Sequence, residues 1–118
     1  MKLKTICFDI DNVICKTNAT KDYSKSIPIK KNIKVINQAY RNGFNIILYT
    51  ARYMGRCNGN LARVKKQIKP LTLKQLKKWG VKYHKIHFGK PSFDLFIDDK
   101  SIFFRKDWSK LLKKKLNI

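Results

Sequence analysis

The sequence predicts an α/β fold of the three-layer, Rossmann-like kind, in which helices cover a mostly parallel central sheet. Short apolar runs alternate with longer stretches of helical period, which is typical of strand–helix–strand units. Three of the apolar runs also end in polar side chains, as strands do at the ligand-binding edge of a parallel sheet. With 118 residues the chain is long enough for one domain, which we place over residues 1–118.

The first half of the chain predicts two strands and one helix. Residues Leu3–Ile10 form an apolar run that we interpret as a buried parallel strand. A polar loop follows, and Pro28 stands near the start of a helix that Gly43 ends. The next apolar run, Phe44–Tyr49, is the second predicted strand, and Thr50 follows it directly.

The second half begins with a loop over residues 53–60 and a Lys- and Leu-rich stretch over residues 61–79. Because Pro70 interrupts this stretch, we expect a broken helix, with Thr72 as the N-cap of its better part. A short strand is predicted within residues 81–88, with Ile86 and Phe88 pointing inward.

The last quarter of the chain predicts one or two further strands and a helix. Gly89–Pro91 has the composition of a turn, and the apolar run Phe93–Ile97 predicts a strand that ends at Asp98 and Asp99. A possible edge strand covers Ile102–Phe104, and Asp107–Leu116 has the pattern of an amphipathic helix.

The charge of the chain is extreme, with 28 Lys and Arg against 7 acidic residues and a net charge of +21. One explanation is attraction to an anion such as a phosphate ester, a nucleic acid or an anionic surface. The other is nucleotide bias, because Lys, Ile and Asn share A/T-rich codons and all three are abundant here. The two explanations are compatible, and the sequence does not separate them.

All seven acidic residues are Asp, and four of them form two pairs that each close an apolar run: Asp9 with Asp11, and Asp98 with Asp99. Since the carboxyl ends of parallel strands meet at one edge, we expect these carboxylates to converge with Thr50. Several carboxylates together repel one another unless a hard cation lies among them. Oxygen ligands without paired histidines favour Mg²⁺.

Such a site suits phosphoryl transfer. An aspartate can attack phosphorus and form an aspartyl-phosphate intermediate, while a second acid two residues away handles the proton. The hydroxyl or backbone amide of Thr50 and the ammonium group of Lys90 would contact the phosphoryl oxygens. Asn12, Ala51, Arg52 and Arg56 lie close in sequence to these groups and complete the predicted substrate-binding set.

Four short motifs resemble the haloacid dehalogenase superfamily: "FDIDNV" at 8–13, "IILYTAR" at 46–52, "GKP" at 89–91 and "LFIDD" at 95–99. They occur in the family's order and span most of the chain. Together with "YTARYM" at 49–54 and "WGVKY" at 79–83, these motifs form a pattern that is similar to small phosphatases of capsule and surface-polysaccharide biosynthesis. Asn12 stands where the family usually has Gly, although Asn tolerates the left-handed turn that this position needs.

The resemblance implies that Asp9 is the nucleophile and a metal ligand, that Asp11 is the acid–base, and that Lys90 is the family's lysine. It further implies that Mg²⁺ is held by Asp9, Asp11, the Ile10 carbonyl and Asp98, with Asp99 a ligand through water or a supporting group. The retained Asp11 favours phosphatase over dehalogenase chemistry. The intervals between motifs hold no full cap domain, so the site is expected to be open.

The favoured function is therefore a Mg²⁺-dependent phosphomonoesterase acting on a sugar phosphate or related metabolite. Two alternatives stay open: a phosphatase of nucleic-acid ends, such as a 3′-phosphate, and a non-catalytic basic nucleic-acid-binding domain. The aromatic residues are not interleaved with the basic ones, which counts against a base-stacking surface. An open site also makes a homo-oligomer plausible.

The cysteines and the apolar runs set the expected compartment. Cys7, Cys15 and Cys57 are odd in number and lack C-x-x-C spacing, so neither a disulfide framework nor a zinc site is expected. Cys7 lies in an apolar run and is predicted to be a core residue. No signal peptide or membrane-spanning run is evident, and a cytoplasmic location is the expectation.

Overall fold

The structure is a computed structural model that describes residues 4–118. Its elements follow one another as β1 (Thr5–Asp9), β2 (Cys15–Lys16), β3 (Ile27–Pro28), α1 (Lys30–Arg41), β4 (Asn45–Thr50), α2 (Leu61–Lys78), β5 (Lys85–Phe88) and α3 (Trp108–Leu116). A short 3₁₀ turn at Tyr23–Lys25 lies between β2 and β3. The predicted strands and helices up to residue 88 are thus present, except that α2 is not broken. The predicted start of the first strand at Leu3 lies outside the described residues.

The central sheet has the order β1-β4-β5, and both of its pairings are parallel. Phe8 lies opposite Leu48, and Thr50 lies opposite Phe88. A small antiparallel ladder, β2 with β3, closes residues 15–28 into an arm beside the sheet. The parallel sheet and three helices make a small α/β domain that fits a Rossmann-like fold, as predicted.

The core lies on one face of the sheet. Along β4 the side chains of Ile46, Leu48 and Thr50 are buried, whereas those between them are only half-buried, as the two-residue period of a strand requires. All three helices contribute to the buried clusters on that face, through Ile36, Leu76 and Trp108 among others. The ring of Trp108 packs 5.9 Å from that of Phe8 on β1.

The opposite face of the sheet is more open. Cys7 is exposed, and Ile47 and Tyr49 are half-buried and belong to neither buried cluster of the described residues. The described residues therefore form two layers, the sheet and the helices on one of its faces, where three layers were predicted. The prediction that Cys7 is a core residue is wrong, because its side chain alternates onto this open face.

Helix α2 is continuous, although a break at Pro70 was predicted. The helix begins at Leu61 after the N-cap Asn60, whose side chain accepts a hydrogen bond from the backbone N–H of Arg63. Thr72 lies inside the helix and does not cap it. Pro70 itself is exposed, while Val64 and Ile68 before it and Leu76 after it are fully buried. Burial on both sides of the proline outweighs the lost hydrogen bond.

The predictions of strands at Phe93–Ile97 and Ile102–Phe104 are wrong. Residues 91–106, all of which the structure describes, form no strand. Their apolar side chains are exposed, with Leu95 at 79%, Ile97 at 86% and Phe103 at 83%. An apolar run becomes a strand only when it finds a pairing partner, and within the described part of the chain β1 pairs only with β4, so its outer edge stays free.

None of the described helices is long and apolar enough to cross a membrane.

Candidate active site

Asp9 stands at the carboxyl end of β1, where the strand delivers its side chain to the edge of the sheet. One carboxylate oxygen, Oδ1, accepts a hydrogen bond of 2.7 Å from the backbone N–H of Ile10. The other, Oδ2, lies 2.9 Å from the ammonium nitrogen of Lys90. The Asp9 side chain is 34% exposed and that of Lys90 is 14% exposed, so the pair is shielded but reachable from solvent.

Lys90 is held at this place by the end of β4. The backbone N–H groups of Gly89 and Lys90 both donate to the carbonyl oxygen of Thr50, at 3.2 and 3.1 Å. Gly89 has a φ of 102°, a conformation that residues with a Cβ rarely adopt. The predicted turn at Gly89–Pro91 is therefore what brings the lysine, far along the chain, back to the first strand.

Asp11 forms an ion pair with the buried guanidinium of Arg52. The Nε and Nη2 atoms of Arg52 donate to the carboxylate of Asp11 at distances of 3.0 to 3.2 Å. The hydroxyl of Thr17 donates to Asp11 Oδ1 at 2.6 Å. Asp11 is 20% exposed and therefore keeps contact with solvent on one side.

The remaining donors of Arg52 are occupied by the protein interior. Its Nη1 atom donates to Thr72 Oγ1 at 3.1 Å and to Gln75 Oε1 at 2.7 Å, both on α2. Its guanidinium also lies 4.7 Å from the ring centre of Tyr23. Arg52 was predicted to contact substrate, yet this network holds its side chain against Asp11 instead.

Cys15 lies beside the same ion pair, with its sulfur 3.6 Å from Asp11 Oδ1 and 3.6 Å from Arg52 Nη2. Burial, reinforced by the negative charge of Asp11, raises the pKa of this thiol from 9.0 to about 11. The thiol is therefore neutral at physiological pH and is unsuited to act as a nucleophile.

A cavity of about 390 Å³ opens above these groups. Asp9 and Asp11 both line it, as do four cationic side chains. These cations are Lys21, Arg52, Arg56 and Lys90. Twice as many cations as carboxylates give the cavity a positive balance, which suits it to an anionic ligand.

The other predicted substrate-binding residues have different fates. Asn12 and Ala51 line the cavity, and Asn12 has a φ of 67°, so it takes the left-handed conformation expected of the turn. Arg56 lines the cavity with its guanidinium 4.2 Å from the ring centre of Tyr53. Thr50 is fully buried and is not among the lining residues, and its hydroxyl accepts from the backbone N–H of Arg52 at 3.1 Å.

The predicted metal ligands are not assembled in this conformation. Asp98 and Asp99 are exposed and lie outside the cavity lining. Asp98 instead accepts a hydrogen bond from the backbone N–H of Lys100, which lowers the pKa of its carboxyl group. The carbonyl oxygen of Ile10 is taken by the backbone N–H groups of three residues of the following turn.

Within residues 4–118 no three side chains of the His, Cys, Asp or Glu type are grouped so that they could hold a metal ion. The oxygens of Asp9 and Asp11 have cationic partners in Lys90 and Arg52. The residues therefore do not fit Mg²⁺ as they stand, because the second carboxylate pair is missing from the cavity.

Several residues that line the cavity were not predicted from the sequence. Thr17, Asn18, Lys21 and Tyr23 come from the arm between β2 and β3, and Ser92 and Phe93 follow Lys90. The arm is polar and irregular in sequence, and no spacing marks which of its residues turn inward. The arm is held in the site by the hydrogen bond from Thr17 to Asp11 and by Tyr23, whose ring packs against Arg52 and whose carbonyl accepts from Gln75.

The chain is similar to three solved structures. A crystal structure of a protein from Vibrio cholerae is 26% identical, with a TM-score of 0.79, over 95% of this chain and 98% of that one. Two structures of the Pnkp1/Rnl/Hen1 complex, one described as an RNA repair complex, are each 18% identical. Their TM-scores are 0.53 and 0.51, over 31% and 34% of the matched chains. No family model and no curated protein matches the chain.

Proposed function

We propose that this protein is a phosphomonoesterase in which Asp9 attacks the phosphoryl group. The observation that carries the proposal is the Asp9 carboxylate, 2.9 Å from the ammonium of Lys90, at the mouth of a cavity with four cationic side chains. The four motifs that resemble the haloacid dehalogenase superfamily support the same assignment. The likeness to solved structures supports the fold alone.

The cations address the main obstacle to this reaction, which is the repulsion between a carboxylate and a phosphate dianion. Lys90 offsets the charge of Asp9, and Lys21 and Arg56 face the same cavity. Fixed charges in a shielded site stabilise the transition state without reorganising during the reaction. Arg56 and Lys21 are exposed, so they suit contacts with the part of the substrate that lies nearer the solvent.

In the first step a carboxylate oxygen of Asp9 forms a bond to phosphorus, and the bond from phosphorus to the ester oxygen breaks. The leaving oxygen takes a proton from Asp11. In the second step water attacks the aspartyl phosphate, its proton returns to Asp11, and the carboxylate of Asp9 is released with inorganic phosphate. The sum is the ester and water giving an alcohol and phosphate.

Asp11 needs one oxygen free to carry this proton. Arg52 holds the carboxylate in place, while the Thr17 hydroxyl that donates to it lies 2.8 Å from the hydroxyl of Ser26. Among the described contacts, Asp11 Oδ1 accepts from Thr17 and from both Nε and Nη2 of Arg52, whereas Oδ2 accepts only from Nε at 3.1 Å. Oδ2 is therefore the oxygen that can carry the proton. Arg52 thus acts as a positioning residue for the acid–base.

A requirement for Mg²⁺ remains a prediction from the sequence. Asp98 and Asp99 lie outside the cavity, so the proposed steps use only Asp9, Asp11 and the cationic side chains. Comparison of turnover with Mg²⁺ and with a chelator decides whether the ion is needed.

Two substrate classes are proposed. A sugar phosphate or similar metabolite agrees with the cavity volume of about 390 Å³. A nucleic-acid end is favoured by the net charge of +21. The first needs only the cavity, whereas the second needs further surface along which a strand can lie.

The test is hydrolysis of p-nitrophenyl phosphate and of a panel of sugar phosphates and 3′-phosphorylated oligonucleotides. The proposal expects turnover by the wild type and a loss of at least about a thousandfold in Asp9→Asn, which keeps the shape but removes the nucleophile. Asp107→Asn is the matched control, because Asp107 carries a carboxylate at the start of α3, outside the cavity lining.

The control should retain wild-type turnover, and both variants should show the far-ultraviolet circular dichroism of the wild type. If no phosphoester in the panel is hydrolysed with or without Mg²⁺, or if Asp9→Asn is as active as Asp107→Asn, the proposed function is wrong.

A further inference from the structure

A second cavity, of about 650 Å³, lies between the arm and the faces of α1 and α2. Three separate segments build its wall: residues 26–28 at the end of the arm, one side of α1, and the end of α2 at Lys78 and Trp79. It shares no lining residue with the candidate active site. The active-site chemistry therefore makes no use of this cavity.

The cavity has a basic rim. Four exposed cationic side chains line it, namely Lys30, Lys34, Arg41 and Lys78, and none of its described lining residues is acidic. Lys30, Lys34 and Arg41 are spaced by four and seven residues, which places them along one face of α1. A helix of twelve residues is about 18 Å long, so this row can follow several phosphates of an extended strand.

The floor of the cavity is apolar. Ile27, Pro28, Ile33 and Trp79 line it together with the basic side chains. Ile27 is 66% exposed, and Trp79 is half-buried because part of its side chain packs against the core, so both leave apolar surface for a ligand. A small inorganic anion would use the cations and leave this surface wet, whereas a ligand with planar bases would use both.

We propose that this cavity binds single-stranded nucleic acid, with the phosphates along the basic row of α1 and a base against Trp79. Positive charge that follows a backbone, beside an aromatic residue that a base can stack on, is the usual combination for such ligands. A duplex hides the faces of its bases, and a lipid surface needs a protruding apolar face rather than a concave one.

The two cavities lie on either side of the same arm. Thr17 and Tyr23 line the active-site cavity, Ser26 and Ile27 line the basic one, and Thr17 and Ser26 touch through their hydroxyls at 2.8 Å. The arm therefore lies between a nucleic acid bound in the basic cavity and the active-site cavity that Asp9 lines. The binding proposal itself does not depend on the proposed catalysis, because it is measured without turnover.

Aromatic and basic residues that are not interleaved in the sequence come together in the folded chain. Trp79 has only Lys77 and Lys78 as basic neighbours in sequence, so no interleaved pattern is visible. Folding brings it beside Lys30 and Lys34, which precede it by more than forty positions.

The test is the fluorescence anisotropy of a labelled single-stranded oligonucleotide titrated with the full chain. We expect Lys30→Ala/Lys34→Ala to weaken binding about tenfold at moderate salt and to reduce the slope of log K against log salt by about 1.4, at about 0.7 for each lost phosphate contact. The matched control is Lys110→Ala/Lys114→Ala, which removes two exposed lysines with the same spacing from α3.

A second readout uses the intrinsic fluorescence of tryptophan. Trp108 is 7% exposed and lies in the core, so quenching of the emission by the oligonucleotide should come from Trp79 and should disappear in Trp79→Phe. Equal losses in the two double variants would mean diffuse attraction by the net charge and would overturn the proposal. So would an absence of binding, unchanged quenching in Trp79→Phe, or tighter binding to anionic phospholipid vesicles with the same dependence on Lys30 and Lys34.

Discussion

Arg52 is a charged side chain that is only 1% exposed, and it links the first strand to α2 and the arm. A buried guanidinium is tolerated because each of its nitrogens has a described partner, and the carboxylate of Asp11 neutralises it. The same contacts fix the side chain that handles the proton in the proposed reaction. Stability and catalysis therefore depend on one ion pair.

We expect Arg52→Met to lower the free energy of unfolding by about 3 kcal/mol, because it leaves Asp11 partly buried without its partner. Arg56→Met is the matched control, since Arg56 lies in the same cavity but is exposed and stacks on Tyr53 alone. That change should cost less than about 1 kcal/mol. Urea unfolding curves measure both, and equal losses would show that the Asp11–Arg52 pair does not support the fold.

The raised pKa of Cys15 predicts how stability changes at high pH. The unfolded thiol loses its proton near its ordinary pKa of 9.0, whereas the folded thiol keeps it up to about 11. The stabilisation is thus complete below pH 9 and is lost as pH rises from about 9 to 11, by at most about 3 kcal/mol. Cys15→Ala should lack this part of the decline.

The measurement compares the unfolding free energies of wild type and Cys15→Ala at neutral pH and at about pH 10.5. The difference between the two proteins should narrow at the higher pH. A difference that stays constant would mean that the folded thiol ionises as readily as the unfolded one.

At the scale of elements, the three strands of the central sheet and helix α1 were predictable because each has a clear apolar pattern and a clear stop. The short strands β2 and β3 lie in a stretch that was predicted to be a polar loop. The alternation along β4 and the glycine after α1 are local signals that tertiary contacts did not override. Pro70 misled the prediction of α2 because the penalty of a proline is local, whereas the burial of Val64 and Leu76 is a property of the whole fold.

The segment over residues 91–106 shows the opposite failure. Its apolar pattern predicted a buried strand, but burial depends on a pairing partner that a pattern cannot supply. The free edge of β1 and the open face beside Cys7 are where such a strand would find backbone partners and apolar surface. With the segment outside the sheet, Asp98 and Asp99 lie outside the cavity that Asp9 lines.

Limited digestion with chymotrypsin tests this account of the segment. The earliest cuts should fall after Phe96, Phe103 or Phe104, which are exposed on irregular backbone, and not after the buried Phe8 or Phe88. If Asp98 and Asp99 bind Mg²⁺, the ion should slow these cuts in wild type and not in Asp98→Asn/Asp99→Asn. First cuts at Phe8 or Phe88 would contradict the exposed placement of the segment.

At the scale of the whole molecule, the attraction of anionic ligands depends on the distribution of positive charge more than on any single cation. The described ion pairs engage four of the seven acidic residues, and the net charge stays at +21. Two cavities collect part of this excess, one around Asp9 and one along α1. Both cavities are suited to phosphate groups, so the proposed reaction and the proposed nucleic-acid ligand depend on the same kind of charge.

The sequence could reveal the site residues that a local pattern marks. It could not reveal those whose role depends on contacts between segments far apart in the chain. Asp9, Asp11 and Lys90 were identifiable because the first two stand at the end of an apolar run and Lys90 stands in a turn marked by Gly89 and Pro91. The interior role of Arg52 and the contributions of Thr17 and Tyr23 depend on α2 and on the arm, which contact the site only after folding. No local pattern encodes such contacts.

The most direct test of the central claim is to trap the covalent intermediate. Wild-type protein is mixed with a phosphoester that it hydrolyses, quenched in acid, digested and examined by mass spectrometry. The account predicts one phosphoryl group on the peptide that contains Asp9, and none on that peptide in Asp9→Asn. Turnover with the phosphoryl group on another residue, or undiminished turnover by Asp9→Asn, would contradict it.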